Sequence, residues 1–292
     1  MARFCARHRG VGLIRLAAAA LVALFMALPA ESVAAKDPDL LPSPHHEAAR
    51  IMSAELAMTQ ALAHVKALIA QSPPTLPLDR IRWELAVAAA GYSYRNAARQ
   101  EELRVYELAS YASVEASVVP LLPARLARPL QDAIAGLHYL YILAGIDLYY
   151  LVNVHFNHPY SDAQPVDLLR SYYQEAYQTY GVDPSYLASI NFIESNFGRV
   201  NGPSSAGALG PMQFLPGTWA NYGNGGDVND PRDAILAAAR YLVHYGAPGD
   251  MRTAIWHYNL DYNYVDSVLS FARAYRSDPA WLDRMYYWNT TG

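Results

Sequence analysis

Residues 191–214 read NFIESNFGRVNGPSSAGALGPMQF. The stretch opens as the end of an apolar helix. It passes through a loop rich in glycine and serine, and closes on Met212 and Gln213. Upstream, Leu187, Ile190, Glu194 and Phe197 are spaced 3, 4 and 3 residues apart, which places them on one face of a helix. Glu194 therefore shares a stripe with apolar side chains and adjoins Ile193. Burial on such a stripe disfavours the charged form, so the pKa of Glu194 is expected to rise and leave a protonated acid near neutral pH. An acid of that kind can protonate a glycosidic oxygen as its bond breaks. Taken alone, the glutamate reads rather as a rim residue or a partner of Arg199, and the pattern by itself favours that structural role.

The residues after Glu194 change the balance. GPSSAGALGPMQ (202–213) combines three glycines with small residues, so its backbone can approach a ligand closely. Met212 offers a soft apolar contact, and Gln213 an amide that both donates and accepts. Phe214, Leu215 and Trp219 are expected to return to the core.

Outward from this stretch the pattern is helical in both directions. Val166 to Tyr180 predicts a helix closed by Gly181. Asp183 and Pro184 start the next as N-cap and first helical residue, with the helix running to about Phe197 and Gly198 as its left-handed stop. Asp230 and Pro231 repeat the start signal for a helix over 231–245, stopped at Gly246, and Tyr264 to Tyr275 reads as a last amphipathic helix. GGDVND (225–230) hints at an oxygen-rich cation loop but lacks the full pattern with its terminal glutamate, so a turn and helix cap is the reading. The tail residues Trp281, Tyr286, Tyr287 and Trp288 either cover the domain or extend a sugar-binding surface.

Towards the N-terminus, helices are expected over 47–71, over 79–111 with a break near Gly91, and over 130–144 with Gly145 as stop. SPPTLP (72–77) and VVPLLPARLARP (118–129) read as proline-marked breaks. Tyr94 to Glu107, rich in arginine and glutamate, reads as a solvated face. Residues 146–164 read as a loop with a short helical turn. His45 with His46, and His155 with His158, lack carboxylates at ligand spacing and read as surface or packing residues. No metal and no cofactor is expected.

Residues 1–35 carry a basic start, an apolar run from Leu16 to Ala30 and a small-residue cleavage site, the marks of a secretory signal peptide; an uncleaved anchor is the alternative. The only cysteine, Cys5, lies inside this segment, so a processed chain has no thiol for a disulfide, a metal or nucleophilic catalysis. The segment holds four arginines and one glutamate, so its removal moves the formal charge from -4 to -7. That leaves no basic stripe for a nucleic acid. Of the 292 residues 53% are hydrophobic and 16% charged, a globular balance.

The ordered motifs resemble the soluble type of lytic transglycosylase domain. Glu194-Ser195, the run Ser204 to Gln213, Pro216 with Thr218-Trp219, Asp230-Pro231 with Tyr241-Leu242, and Trp256-His257-Tyr258-Asn259 come in the family's order over roughly residues 165–275. The resemblance implies an all-α architecture: a lysozyme-like transglycosylase domain (151–292) preceded by an N-terminal helical region (36–150). It implies cleavage of the MurNAc–GlcNAc β-1,4 bond of peptidoglycan glycan strands, with Glu194 as the single acid and base closing a 1,6-anhydro ring on MurNAc. It implies that Tyr258 hydrogen-bonds near Glu194, and that Asn259, Gln213, Met212 and Ser204 line the cleft. Expected with it are a monomer acting in the periplasm or the extracellular wall, with association at the wall or a membrane surface. His257 and the Leu-Asp-Tyr-Asn after Asn259 depart from the family pattern. Asp227 and Asp261 are the carboxylates that would turn the site into an inverting hydrolase if one faced Glu194. A wall-binding protein without activity is the reading from outside enzymology.

Overall fold

The computed structural model describes residues 43–110, 112–145, 162–200 and 202–288. The expected signal segment, His155, His158 and most of residues 146–164, expected as a loop, lie outside them. All the regular elements among the described residues are helices, apart from one isolated bridge between Leu209 and Phe214. The architecture of the described residues is all-α.

In chain order the helices are α1 (Pro44–Ile69), α2 (Pro77–Ser110), α3 (Ala112–Val118) and, after a 3₁₀ turn at Val119–Leu121, α4 (Ala124–Ala144). Then come α5 (Val166–Tyr180), α6 (Pro184–Ser195), α7 (Pro216–Tyr222), α8 (Pro231–His244), α9 (Met251–Asn259), α10 (Tyr262–Ser277) and α11 (Ala280–Tyr286).

The helix punctuation obeys the sequence. Ser43 caps α1, its hydroxyl accepting from the His46 amide at 3.3 Å; His45 and His46 are exposed there. Gly145 and Gly181 take the left-handed conformation that ends α4 and α5. Three expectations are corrected. The chain runs straight through Gly91, so α2 is one helix of 34 residues. Pro129 does not separate elements but sits inside α4, where it forgoes one backbone bond while Leu126, Leu130, Ala133, Ile134 and Leu137 hold the helix by burial. The charged stretch Tyr94–Glu107 is not a solvated face. Glu101, Glu102 and Glu107 are buried, because basic partners within reach let the carboxylates leave water: Arg284 for Glu101, Arg99 for Glu102 and Arg104 for Glu107.

α1 and α2 form a hairpin, with the Trp83 indole donating to the Leu68 carbonyl at 3.0 Å near the turn. α4 lies along α10 in the most extensive helix pair of the described residues. The two backbones approach at Gly136, where a Cβ would stand 2.7 Å from the Phe271 ring and where the Ser267 hydroxyl reaches the Gly136 carbonyl at 2.9 Å. One hydrophobic core runs from Ile51, Val105 and Leu130 through Leu187, Ile190 and Val268 to Trp288. It draws residues from both 43–145 and 162–288. Trp281 and Trp288 are fully buried, so those tail aromatics cover the domain and do not extend its surface.

Candidate active site

α6 is the axis of the site. Asp183 caps it, accepting from the Ser185 amide at 2.9 Å, and Pro184 occupies its first position. The amphipathic stripe expected here is a minimum, since every residue from Leu187 to Ser195 is buried on all faces. The helix stops two residues earlier than expected. Asn196 (φ 49°) and Phe197 (φ 62°) are both left-handed, with Gly198 next at 86°. A non-glycine residue in that region costs about 1–2 kcal/mol and persists only where its surroundings hold it.

Glu194 sits in the last turn of α6, 7% exposed. The Tyr264 phenol, itself buried on α10, donates to its Oε1 at 2.6 Å. Burial pushes the Glu194 carboxyl up to about 7, and the Tyr264 hydrogen bond, which favours the ionised form, pulls the other way. Asp227 and Asp261, the two carboxylates of interest, are used elsewhere. Asp227 is exposed and accepts from the Asn229 amide, while Asp261 caps α10 by accepting from the Asn263 amide at 2.7 Å. Arg199 does not hold Glu194 either; its guanidinium lies 4.2 Å from the Tyr286 ring centroid and Nη1 donates to the Asn196 carbonyl.

Tyr258 lies beside this pair. Its ring is nearly parallel to that of Tyr264, centroids 6.3 Å apart, and its hydroxyl donates to the Met212 carbonyl at 2.8 Å. The phenol that touches Glu194 is thus Tyr264, which the pattern of α10 presents only as a packing residue. A tyrosine on the buried stripe of a helix needs some partner for its hydroxyl, but nothing local says that the partner is a residue 70 positions away.

The 202–213 loop is tied to the back of α6. The Pro211 carbonyl accepts from Asn191 Nδ2 at 2.9 Å and from Ser195 Oγ at 2.6 Å, and the Ser195 oxygen accepts from the Gly198 amide. Reciprocal backbone bonds of 2.9 Å join Leu209 and Phe214, closing the loop tip. Gly210 (φ 73°) is obligatory, because a Cβ there would stand 1.8 Å from the Val228 carbonyl oxygen. Ser204 braces the loop, its hydroxyl accepting from the Ala208 amide at 3.0 Å. Met212 is fully buried, so its side chain belongs to the core, while its carbonyl accepts from the Tyr258 hydroxyl. This corrects the expectation of a side chain lining the cleft; a flexible thioether fills the irregular space under the loop.

Gln213 is held at φ 50°, with Nε2 donating to the Gly210 carbonyl at 2.9 Å. Its Oε1 is buried without a hydrogen-bond donor, and so is Oδ1 of Asn259. Such an acceptor costs about 1–3 kcal/mol when left open, and these two belong to the residues next in sequence to Met212 and Tyr258.

Among known families, residues 171–276 match the Transglycosylase SLT domain. The match runs from within α5 almost to the end of α10 and includes Glu194, Gln213, Tyr258, Asn259 and Tyr264. No curated protein and no solved structure matches the chain.

Proposed function

We propose that this chain, whose residues 171–276 are a transglycosylase SLT domain, is a lytic transglycosylase that cleaves the MurNAc–GlcNAc β-1,4 bond of peptidoglycan. The family carries glycosidic cleavage of peptidoglycan; the anhydro product and the single-acid mechanism are our reading of the site. One observation carries that reading. Glu194 is buried, its proton affinity is raised to about 7, and the group bonded to it is a phenol and not a second carboxylate.

Near neutral pH a substantial fraction of Glu194 is protonated. The acid gives its proton to the glycosidic oxygen, and that oxygen leaves with the bonding pair as the GlcNAc hydroxyl. The carboxylate so formed is stabilised by the Tyr264 phenol, which favours the charged state. Glu194 then takes the proton of the C6 hydroxyl of the same MurNAc, whose oxygen bonds to C1 and closes the 1,6-anhydro ring. No water is consumed, and the acid returns to its starting state. The open oxygens of Gln213 and Asn259 suit the acetamido N–H and hydroxyl donors of an amino-sugar chain. The basic, then apolar, character of residues 1–35 supports export, which brings the enzyme to the wall polymer in the periplasm or outside the cell.

Mass spectrometry of purified sacculi digested by the full chain tests the reading. Products ending in anhydroMurNAc, lighter by one water than reducing ends, are expected, and Glu194→Gln should abolish them. Reducing MurNAc ends would instead establish a hydrolase.

A further inference from the structure

Residues 280–288 lie just past the end of the matched domain and pack on two things at once. On one side is the N-terminal hairpin. Arg284 of α11, 4% exposed, sends Nη1 to Glu101 of α2 at 3.0 Å and Nη2 to Glu55 of α1 at 2.5 Å, with Asp278 at 3.6 Å. Arg125 of α4 adds a second contact to Glu55 at 3.3 Å, and Tyr287 packs edge-on against Tyr94 of α2. On the other side is the turn that ends α6. The Asn196 side chain donates from Nδ2 to the Trp288 carbonyl at 3.4 Å, the Phe197 and Tyr286 rings are 5.7 Å apart, Arg199 lies over Tyr286, and the Trp288 ring meets Phe192 at 6.4 Å.

The residues so gripped are the two left-handed ones, Asn196 and Phe197, which come directly after Ser195 and stand two and three positions after Glu194. A strained turn of this kind holds its shape only while its neighbours impose it. Directional groups impose it better than apolar packing, because one guanidinium has a fixed fork and must meet carboxylates from two helices at once. We infer that residues 280–288 are a positioning strap, in which Arg284 anchors the N-terminal hairpin and Tyr286 holds the turn after α6, so that helices outside the matched domain set the place of Glu194. The inference takes Glu194 as the acid of the proposed reaction. It gives the N-terminal helices a part in catalysis that their distance along the chain does not suggest.

The test uses the full chain carrying Arg284→Met, Arg284→Lys or Tyr286→Leu. The Glu194 carboxyl is followed by carbon NMR titration, its signal assigned by its loss in Glu194→Gln, and kcat and KM are measured on sacculi. In Arg284→Met and Tyr286→Leu, water reaching a displaced carboxyl should lower its midpoint by about half a pH unit or more. kcat should fall about tenfold with KM within about twofold, as for a misplaced catalytic group. Arg284→Lys, which keeps the charge, should recover part of both. Should Arg284→Met fail to fold, Tyr286→Leu, which leaves the ion cluster whole, decides by the same two readouts. A folded variant with the parent's midpoint and kcat overturns the strap. The titration needs no substrate, so a parent that leaves sacculi uncut would sink the proposed reaction while the strap is still judged by NMR.

Discussion

At the scale of single residues the site rests on one carboxyl and one phenol. The folded protein keeps Glu194 protonated up to about 7, whereas the unfolded chain ionises near the ordinary value of 4.5. Below pH 4.5 both states are neutral and the group is silent. Between 4.5 and 7 the unfolded chain loses its proton first, so the parent loses stability as pH rises. Glu194→Gln removes that cost and still offers an amide oxygen to Tyr264. Its stability should therefore exceed the parent's at pH 8, by an amount on the order of 1–3 kcal/mol, and match it below about pH 4; calorimetry at the two pH values checks both. The same variant should lose about 10²–10⁴-fold in rate. Tyr264→Phe deletes the bond that favours the ionised form. The Glu194 midpoint should move further up, carrying the pH–rate profile with it, and kcat should fall because the carboxylate formed in the first step loses its donor. Glu194 was legible only together with Met212-Gln213 and Tyr258-Asn259 downstream, because the apolar stripe alone favours a structural role. Tyr264 was not, because a tyrosine on such a stripe is ordinary, and what sets it apart is a residue 70 positions away.

At the scale of elements, two close approaches decide how the helices sit. Gly210→Ala would drive a methyl into the Val228 carbonyl and force a left-handed alanine, so the loop should detach from α6. Activity should vanish and stability drop by roughly 2 kcal/mol or more, measured by sacculus assay and chemical denaturation. Gly136→Ala presses instead on the Phe271 ring at the α4–α10 crossing. It should destabilise by about 1–3 kcal/mol, the range for overpacking, with KM little changed. Helix starts and stops were readable here from local chemistry: Asp183-Pro184, Asp230-Pro231, Gly145 and Gly181 act within one turn of themselves. α7 and α9 were not separated from their surroundings, being too short for a period to declare itself. The helical state of Pro129 was hidden for another reason. Tertiary burial of its neighbours outweighs one missing backbone bond.

At the scale of the whole molecule, the matched domain shares its hydrophobic core with helices outside it. α4 covers α10, α11 covers the end of α6, and the shared core passes through all of them. A fragment limited to residues 171–276 should therefore show no cooperative melt, whereas residues 43–288 should melt in one transition; circular dichroism of the two decides. The sequence by itself determined the helical class, the caps, the candidate carboxyl and the order of motifs, because each depends on spacing or on chemistry within a few residues. Only the tertiary structure decided that Tyr264 is Glu194's partner and that the Met212 carbonyl accepts from Tyr258. The same is true of the glutamates of α2, which lie buried rather than solvated. These are outcomes of contacts between segments far apart in the chain. Whether a charge is buried, or a hydroxyl bonded, depends on what another helix brings to meet it, and no local pattern carries that information.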